Sequence, residues 1–349
     1  MKQLNSDYDD KSVMSSLIPR TTNGESPELL REGLRSEERE KPSTPLFTRP
    51  SIFDPQSCLR VVITGASSGL GLALARHYLE EGAVVAAVAR RAELLQELAA
   101  EFPGRVFCYA LDVRDAAALR GAADDFISRA GVPDVVIANA GVSVGTLTEY
   151  AEDIDAYAQV MDINVLGMVK TFQPFVALMR EAAGRPPSPQ SSDETTSHST
   201  KLPKNSSQVA GYPRGGGGER ERHFTLVGIA SVAGFRGLPG AGAYSASKAA
   251  AIAYLESLRV ELHGSGVKVV TLCPGYIRTP MTAVNPYAMP FILEAPEAAR
   301  RVARAIARHQ VFAVIPWQMG LVGKLLKWLP NWLYDRLFAH APHKPRRLL

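Results

Sequence analysis

Cysteine is scarce in this chain, neither charge sign dominates, and no apolar run is long. The three cysteines, Cys58, Cys108 and Cys273, are odd in number and far apart. The last two sit in apolar, strand-like runs, where cysteine behaves as a small hydrophobe, so a reducing compartment is expected and the cytoplasm is the expected location. No window reaches 18 apolar residues without a charge, which argues against a membrane-spanning helix. The opening MKQLNSDYDDKSVM puts acids where a secretory leader has basic and then apolar residues. With 39 Lys and Arg against 35 Asp and Glu, the net charge of +4 lacks the concentrated excess of a nucleic-acid binder. No metal site is expected.

Hydrophobic residues make up 46% of the 349, ample for a core. They are not spread evenly. Residues 1–57 are rich in Ser, Pro, Glu and Arg, a mixture that buries too little surface to offset ordering entropy, and are read as a disordered extension. Within them Ser26-Pro27-Glu28-Leu29-Leu30 carries the start signals of a short helix. From Leu59 onward short apolar runs (LRVVI, AVVAAVA, RVFCYAL, PDVVIA, HFTLVGI, VKVVTL, VFAVI) alternate with segments of helical period such as 70–81, 93–102 and 115–130. Near-continuously apolar strands need helices on both faces, and parallel strands need crossovers. The expectation is an α/β fold: a Rossmann-type, doubly wound, seven-stranded parallel sheet over 58–316, interrupted by a flexible low-complexity insertion at 184–222. An amphipathic helical tail, 317–349, completes the chain.

The first strand runs into Thr64-Gly65-Ala66-Ser67-Ser68-Gly69-Leu70-Gly71 and then a helix. Glycines there permit a tight turn, close approach to a pyrophosphate and helix-on-strand packing, and the helix N-terminus adds partial positive charge. The spacing departs from G-x-G-x-x-G. At the end of the second strand an acid would hold the ribose hydroxyls, but Ala89 stands there, followed by Arg90-Arg91. A 2′-phosphate would gain charge-assisted partners from these arginines and a second contact from Ser67, so NADP(H) is favoured over NAD(H).

Further signatures follow in order: Asp112-Val113, Asn139-Ala140-Gly141, Asn164, Ser231, Tyr244-x-x-x-Lys248 and Pro274-Gly275-Tyr276-Ile277-Arg278-Thr279. Together with the glycine turn they resemble the short-chain dehydrogenase/reductase family over about 59–316, and the tail resembles that of hydroxysteroid dehydrogenase-like members. A local departure is Ala230, where a second Ser often stands. The resemblance implies catalytic roles for Asn164, Ser231, Tyr244 and Lys248, with Lys248 also gripping the nicotinamide ribose. It implies that Asn164 kinks its helix to hold a water, that Asp112 lies near the adenine and Asn139 near the adenosine ribose, and that Ile277 and Thr279 meet the carboxamide. Thr64, Gly65, Ser67, Ser68, Gly69, Leu70, Gly71, Val113, Ala140, Gly141, Pro274 and Gly275 complete the expected cofactor-binding set. A homo-oligomer is implied in the same way. Read as bare sequence, Asp112 could be only a helix cap and Asn139 only a turn residue.

The chemistry is intelligible from the residues. Tyr244 and Lys248 are one helical turn apart, so the amine sits beside the phenol and favours its ionised form. Tyr244 can then exchange a proton with a carbonyl or alcohol oxygen while Ser231 hydrogen-bonds that oxygen. Ser231 lacks the G-x-S-x-G elbow of a hydrolase nucleophile. The reading is an oxidoreductase interconverting ketone and secondary alcohol, with the Met- and Phe-containing segment 280–296 covering a lipophilic small-molecule substrate. The alternatives are a catalytically idle NAD(P)H-binding sensor, which would need only the glycine turn, and a nucleotide-sugar epimerase, which usually needs a larger carboxyl-terminal domain. In the tail, Leu321, Leu325, Trp328 and Leu329 form one stripe, which either covers the cleft or a partner subunit, or rests on a membrane surface along 317–338. The terminal HAPHKPRRLL reads as a solvated basic tail.

Overall fold

The computed structural model describes residues 58–184, 224–342 and 344–346. The disorder expected for 1–57, the helix expected at Ser26–Leu30 and most of the insertion expected at 184–222 lie outside these residues.

The chain begins as expected, with β1 (Arg60–Thr64), α1 (Gly69–Glu80), β2 (Val84–Ala89), α2 (Ala92–Glu101), β3 (Val106–Ala110), α3 (Ala116–Ala130) and β4 (Val135–Ala138). Then come α4 (Asp153–Met161), a π-helical turn over Asp162–Leu166, α5 (Gly167–Ala182), β5 (Phe224–Ile229), α6 (Gly242–Glu261) and β6 (Val267–Pro274). A short pair of strands, β7 (Ile277–Arg278) and β8 (Leu293–Glu294), brackets the four-residue helix α7 (Pro280–Ala283). The chain returns through α8 (Ala295–Ala307), β9 (Phe312–Ile315), α9 (Trp317–Trp328) and α10 (Asn331–Phe338).

All seven apolar runs become strands of one parallel sheet, ordered β3-β2-β1-β4-β5-β6-β9. Alternation within a strand feeds two cores. Val61 and Ile63 of β1 face Leu74 of α1, Leu95 of α2 and Val302 of α8, whereas Val62 faces the layer containing Phe126 of α3, Phe172 of α5 and Leu255 of α6. This two-sided burial is why the strands are hydrophobic throughout. The order reverses between β1 and β4, opening a crevice at the carboxyl ends of the strands. At the other end, Arg60 and Asp134 lock β1 to the start of β4 through a bidentate pair (Nε to Oδ2 3.0 Å, a terminal nitrogen to Oδ1 3.1 Å).

Three expectations need correction. Cys108 is exposed rather than part of the core, because β3 is the outer strand of the sheet. The stripe on α9 does not cover the cleft. Met319 and Gly323 form the buried face, with Gly323 so close to the Phe235 ring that a Cβ would lie 2.3 Å from it, and Leu321, Leu325 and Trp328 are exposed. Arg236 fixes this hairpin, donating to Leu326 O and Leu329 O and lying 3.9 Å above the Tyr334 ring. Nor are the described cations near the end of the chain all solvated: Lys344 is buried and Arg346 is ion-paired to Asp153. Among the described residues no helix is long and apolar enough to cross a membrane.

Candidate active site

The glycine turn forms at the end of β1, where Gly65 adopts φ +71° and its N–H donates to Val88 O at 2.8 Å. A Cβ on Gly71 would lie 2.2 Å from Gly65 O and 2.5 Å from Asn139 Nδ2, so only glycine lets the first turn of α1 pack on the loop. The N-terminus of α1, with no acid in its first turn, faces the cleft through Ser68, Gly69 and Leu70. That is a favourable seat for an anion. Thr64 Oγ1 accepts from the N–H groups of Asn139 and Ala140, each at 3.2 Å, while Asn139 Nδ2 donates to Thr64 O at 3.0 Å. These bonds staple the ends of β1 and β4 together.

At the outer end, Ala89 closes β2 without a carboxylate, and a terminal guanidinium nitrogen of Arg91 donates to Ser67 Oγ at 3.0 Å. Asp112 accepts two hydrogen bonds from the Arg114 guanidinium, at 3.1 and 2.8 Å, which hold its carboxyl below the usual range with a smaller contribution from Arg90. The cap of α3 is Asp115, not Asp112: Asp115 accepts from Ala117 N and Ala118 N, both at 2.9 Å.

The inner end is built from three elements. Ser231 follows β5 and caps a single 3-10 turn, Val232–Gly234, its Oγ accepting from Ala233 N at 3.1 Å. Tyr244 and Lys248 come from α6. Burial pushes the Tyr244 phenol above its ordinary range, and a hydrogen bond with Ser231 pulls the other way. Lys248 Nζ lies 5.8 Å from the Tyr244 ring centroid and donates to Ile229 O at 2.8 Å, and burial draws its ammonium down to about 8. The ammonium therefore still carries charge at neutral pH, next to the phenol.

Asn164 lies in the π-helical turn between α4 and α5. Wholly buried, its side chain accepts from Val142 N at 2.8 Å and donates to Val142 O and Ser247 Oγ, each at 2.9 Å. Ser247, which the sequence reading missed, in turn donates to Tyr244 O at 2.7 Å. Nothing in the local sequence set Ser247 apart from Ser245 between Tyr244 and Lys248. Gly141 sits between these groups: a Cβ there would lie 3.1 Å from Asn164 Oδ1 and 3.6 Å from Lys248 Nζ.

The floor is completed by Pro274, Gly275, Ile277 and Thr279, the last capping α7 in a reciprocal pair with Thr282. The cleft encloses about 290 Å3. It is lined by every residue expected from the sequence except Thr64, Gly71 and Asn164, which stand behind its wall. Among the described residues no cluster of His, Cys, Asp and Glu is arranged to hold a metal ion. The donor set suits a dinucleotide: an anion seat at a helix N-terminus, a cationic pair beside Ala89, and space at Gly141 that a side chain would fill.

A profile of the short chain dehydrogenase family matches residues 60–185 and 220–288, more than half of the chain. An uncharacterized oxidoreductase of Myxococcus xanthus is 34% identical over 277 residues, 78% of this chain and 94% of that protein. A short-chain dehydrogenase from Burkholderia cenocepacia, solved with NADP, superposes with a TM-score of 0.61 at 23% identity, covering 82% of this chain and 99% of that one. A short-chain dehydrogenase/reductase from Burkholderia phymatum, solved with NAD, gives 0.61 at 21% identity over 83% and 98%. On the strength of the profile and of the bacterial relative, this chain belongs to the short-chain dehydrogenase family.

Proposed function

We propose that the chain is an NADP(H)-dependent oxidoreductase that interconverts a ketone and a secondary alcohol on a lipophilic small molecule, with Tyr244 as general acid and base. Membership of the family makes it an enzyme of the CH–OH/C=O couple using NAD(P). The finer reading is carried by one observation: Ser231, Tyr244 and the buried Lys248 line one cleft, with Lys248 Nζ 5.8 Å from the Tyr244 ring centroid. A bound nicotinamide supplies or accepts the hydride. Ser231 holds the substrate oxygen and stabilises the charge that develops on it. Tyr244 delivers the proton in reduction and removes it in oxidation. A phenol starting above its ordinary 10 must be lowered to near neutrality, which needs more than about 4 kcal/mol in favour of the phenolate. Lys248, joined by the positive charge of the oxidised cofactor, would supply it.

The phosphate preference is supported by Arg91 and Ser67 meeting where Ala89 leaves no acid. Lipophilic substrates suit the walls contributed by Ile277 and Met281. The test is Tyr244→Phe assayed with NADPH and a panel of steroid, fatty and aromatic ketones. NADPH binding should persist and NADPH consumption should fall by about 1,000-fold or more. Equal turnover by wild type and variant would remove Tyr244 from the chemistry.

A second reading concerns the tail. Trp317, Leu321, Leu325 and Trp328 are exposed alongside Lys324 and Lys327, which supports contact with a membrane surface. The protein should co-sediment with vesicles containing phosphatidylserine, and Leu325→Glu with Trp328→Glu should abolish that.

A further inference from the structure

The last described residues fold back onto the loop after β4 and onto Met281 of α7. Pro345 O accepts the Gly145 N–H at 2.9 Å, and a Cβ on Gly145 would lie 2.1 Å from Lys344 O, so glycine is what lets the tail lie flat on the loop after β4. Lys344 Nζ donates to Ser143 Oγ at 3.0 Å and to Met281 O at 3.2 Å. Arg346 pairs with both oxygens of Asp153 at 2.8 and 3.1 Å, reaches Glu152 at 3.0 Å, and lies 3.5 Å over the Tyr150 ring.

These contacts join two walls of the site. Met281 lines the cleft from the side of α7, and Ser143 directly follows Gly141 and Val142, which line it from the end of β4. The loop they grip also leads to the catalytic helix. Asp153 accepts from Leu147 N at 2.8 Å, Thr146 N donates to Gly240 O at 3.0 Å, and Thr146 Oγ1 accepts from Ala243 N at 3.2 Å, one residue before Tyr244. An exposed lysine would lose nothing by staying in water, and a buried ammonium is tolerated only where acceptors replace its hydration. Lys344, 8% exposed, has two, one on each wall.

We propose that Lys344, Pro345 and Arg346 form a strap across the substrate end of the cleft, and that Lys344 is a specificity-determining residue that sets how large a carbonyl compound the cleft admits by tying Met281 to Ser143. The proposal rests on the carbonyl-reducing function above. With the strap seated, the walls are held together around compact ketones. With it released, they separate, so compact substrates bind more weakly and bulky ones gain entry.

Two variants release the strap from different sides: Lys344→Met removes the bridging ammonium, and Gly145→Ala pushes Lys344 O away while leaving the tail sequence intact. In each, KM for a single-ring ketone should rise about fivefold or more with kcat little changed, kcat/KM for a steroid ketone should rise, and NADPH affinity should stay within about twofold. Lys344→Arg should restore part of the preference. An unaltered ratio of kcat/KM for the two ketones in both variants would overturn the proposal. Hydrogen exchange provides a readout that needs no substrate. In wild type the Gly145 amide should be protected, and deletion of residues 344–349 should speed exchange in 142–147 and 280–283. Unchanged exchange in both segments would sink the strap whatever the protein reduces, whereas protected segments in a protein that turns over no ketone would sink only the functional reading.

Discussion

Arg91 and Ser67, 24 residues apart in the chain, meet at 3.0 Å across the outer lip of the cleft. One comes from the glycine turn after β1 and the other from the start of α2, so the contact joins the anion seat to the ribose end. No carboxylate competes for the guanidinium there, because β2 ends in Ala89. This part-buried hydrogen bond sets the guanidinium at the place where the proposed 2′-phosphate would sit.

Arg91→Ala should therefore weaken NADPH and leave NADH nearly untouched. Because both arginines are exposed, an effect of about tenfold on KM for NADPH is expected from Arg91 alone, and more from Arg90→Ala with Arg91→Ala. Steady-state kinetics with each cofactor would show it. Equal losses with NADPH and NADH would mean that the arginines hold the fold and not the phosphate.

Ser247→Ala tests a positioning role. The hydroxyl takes a hydrogen bond from Asn164 and gives one to Tyr244 O, and both it and Asn164 are wholly buried. Its loss leaves an amide hydrogen without a partner, at about 1–3 kcal/mol, and loosens the start of α6. The expected result is kcat lowered about tenfold with KM and NADPH affinity nearly constant, and partial rescue by Ser247→Thr. A fall in thermal stability with unchanged kcat would reduce Ser247 to a packing role.

The sheet was legible because its inner strands β1, β2, β4 and β5 are buried on two faces, which turns each into a short apolar run that local pattern alone reveals. Placement in the sheet was not legible: Cys108 looks like a core residue until β3 is known to be the outermost strand. The same holds for the tail. Lys344 and Arg346 read as solvated because the groups that receive them, Ser143, Met281 and Asp153, are 63 to 201 positions away and carry no local signal. The stripe on α9 has a visible apolar period, but the period cannot say which face meets the protein, and the glycine at 323 chose the face with Phe235. In the cleft, residue types with a distinctive spacing were readable. Ser247, one more serine in an Ala- and Ser-rich helix, was not.

Lys248 gives a pH-dependent signature of its burial. The ammonium is held at about 8 against an ordinary 10.5, because the fold takes it out of water. Below pH 8 folded and unfolded chains both carry the proton, and the fold bears the whole cost of the buried charge. Between 8 and 10.5 the folded chain releases the proton while the unfolded chain keeps it, so the contribution of this lysine to stability rises with pH. The neighbouring Cys273 thiol, pushed up to about 12 from 9.0 by burial, acts in the opposite sense above its ordinary value, so the raw curve mixes the two. Comparison with Lys248→Met separates them. From pH 8 to 9.5 wild type should gain on the order of 1–2 kcal/mol on the variant, measured by urea unfolding at fixed pH without cofactor. A difference that stays flat over that interval would show the ammonium to be solvated, and a solvated ammonium would have lost most of its leverage on the Tyr244 phenol.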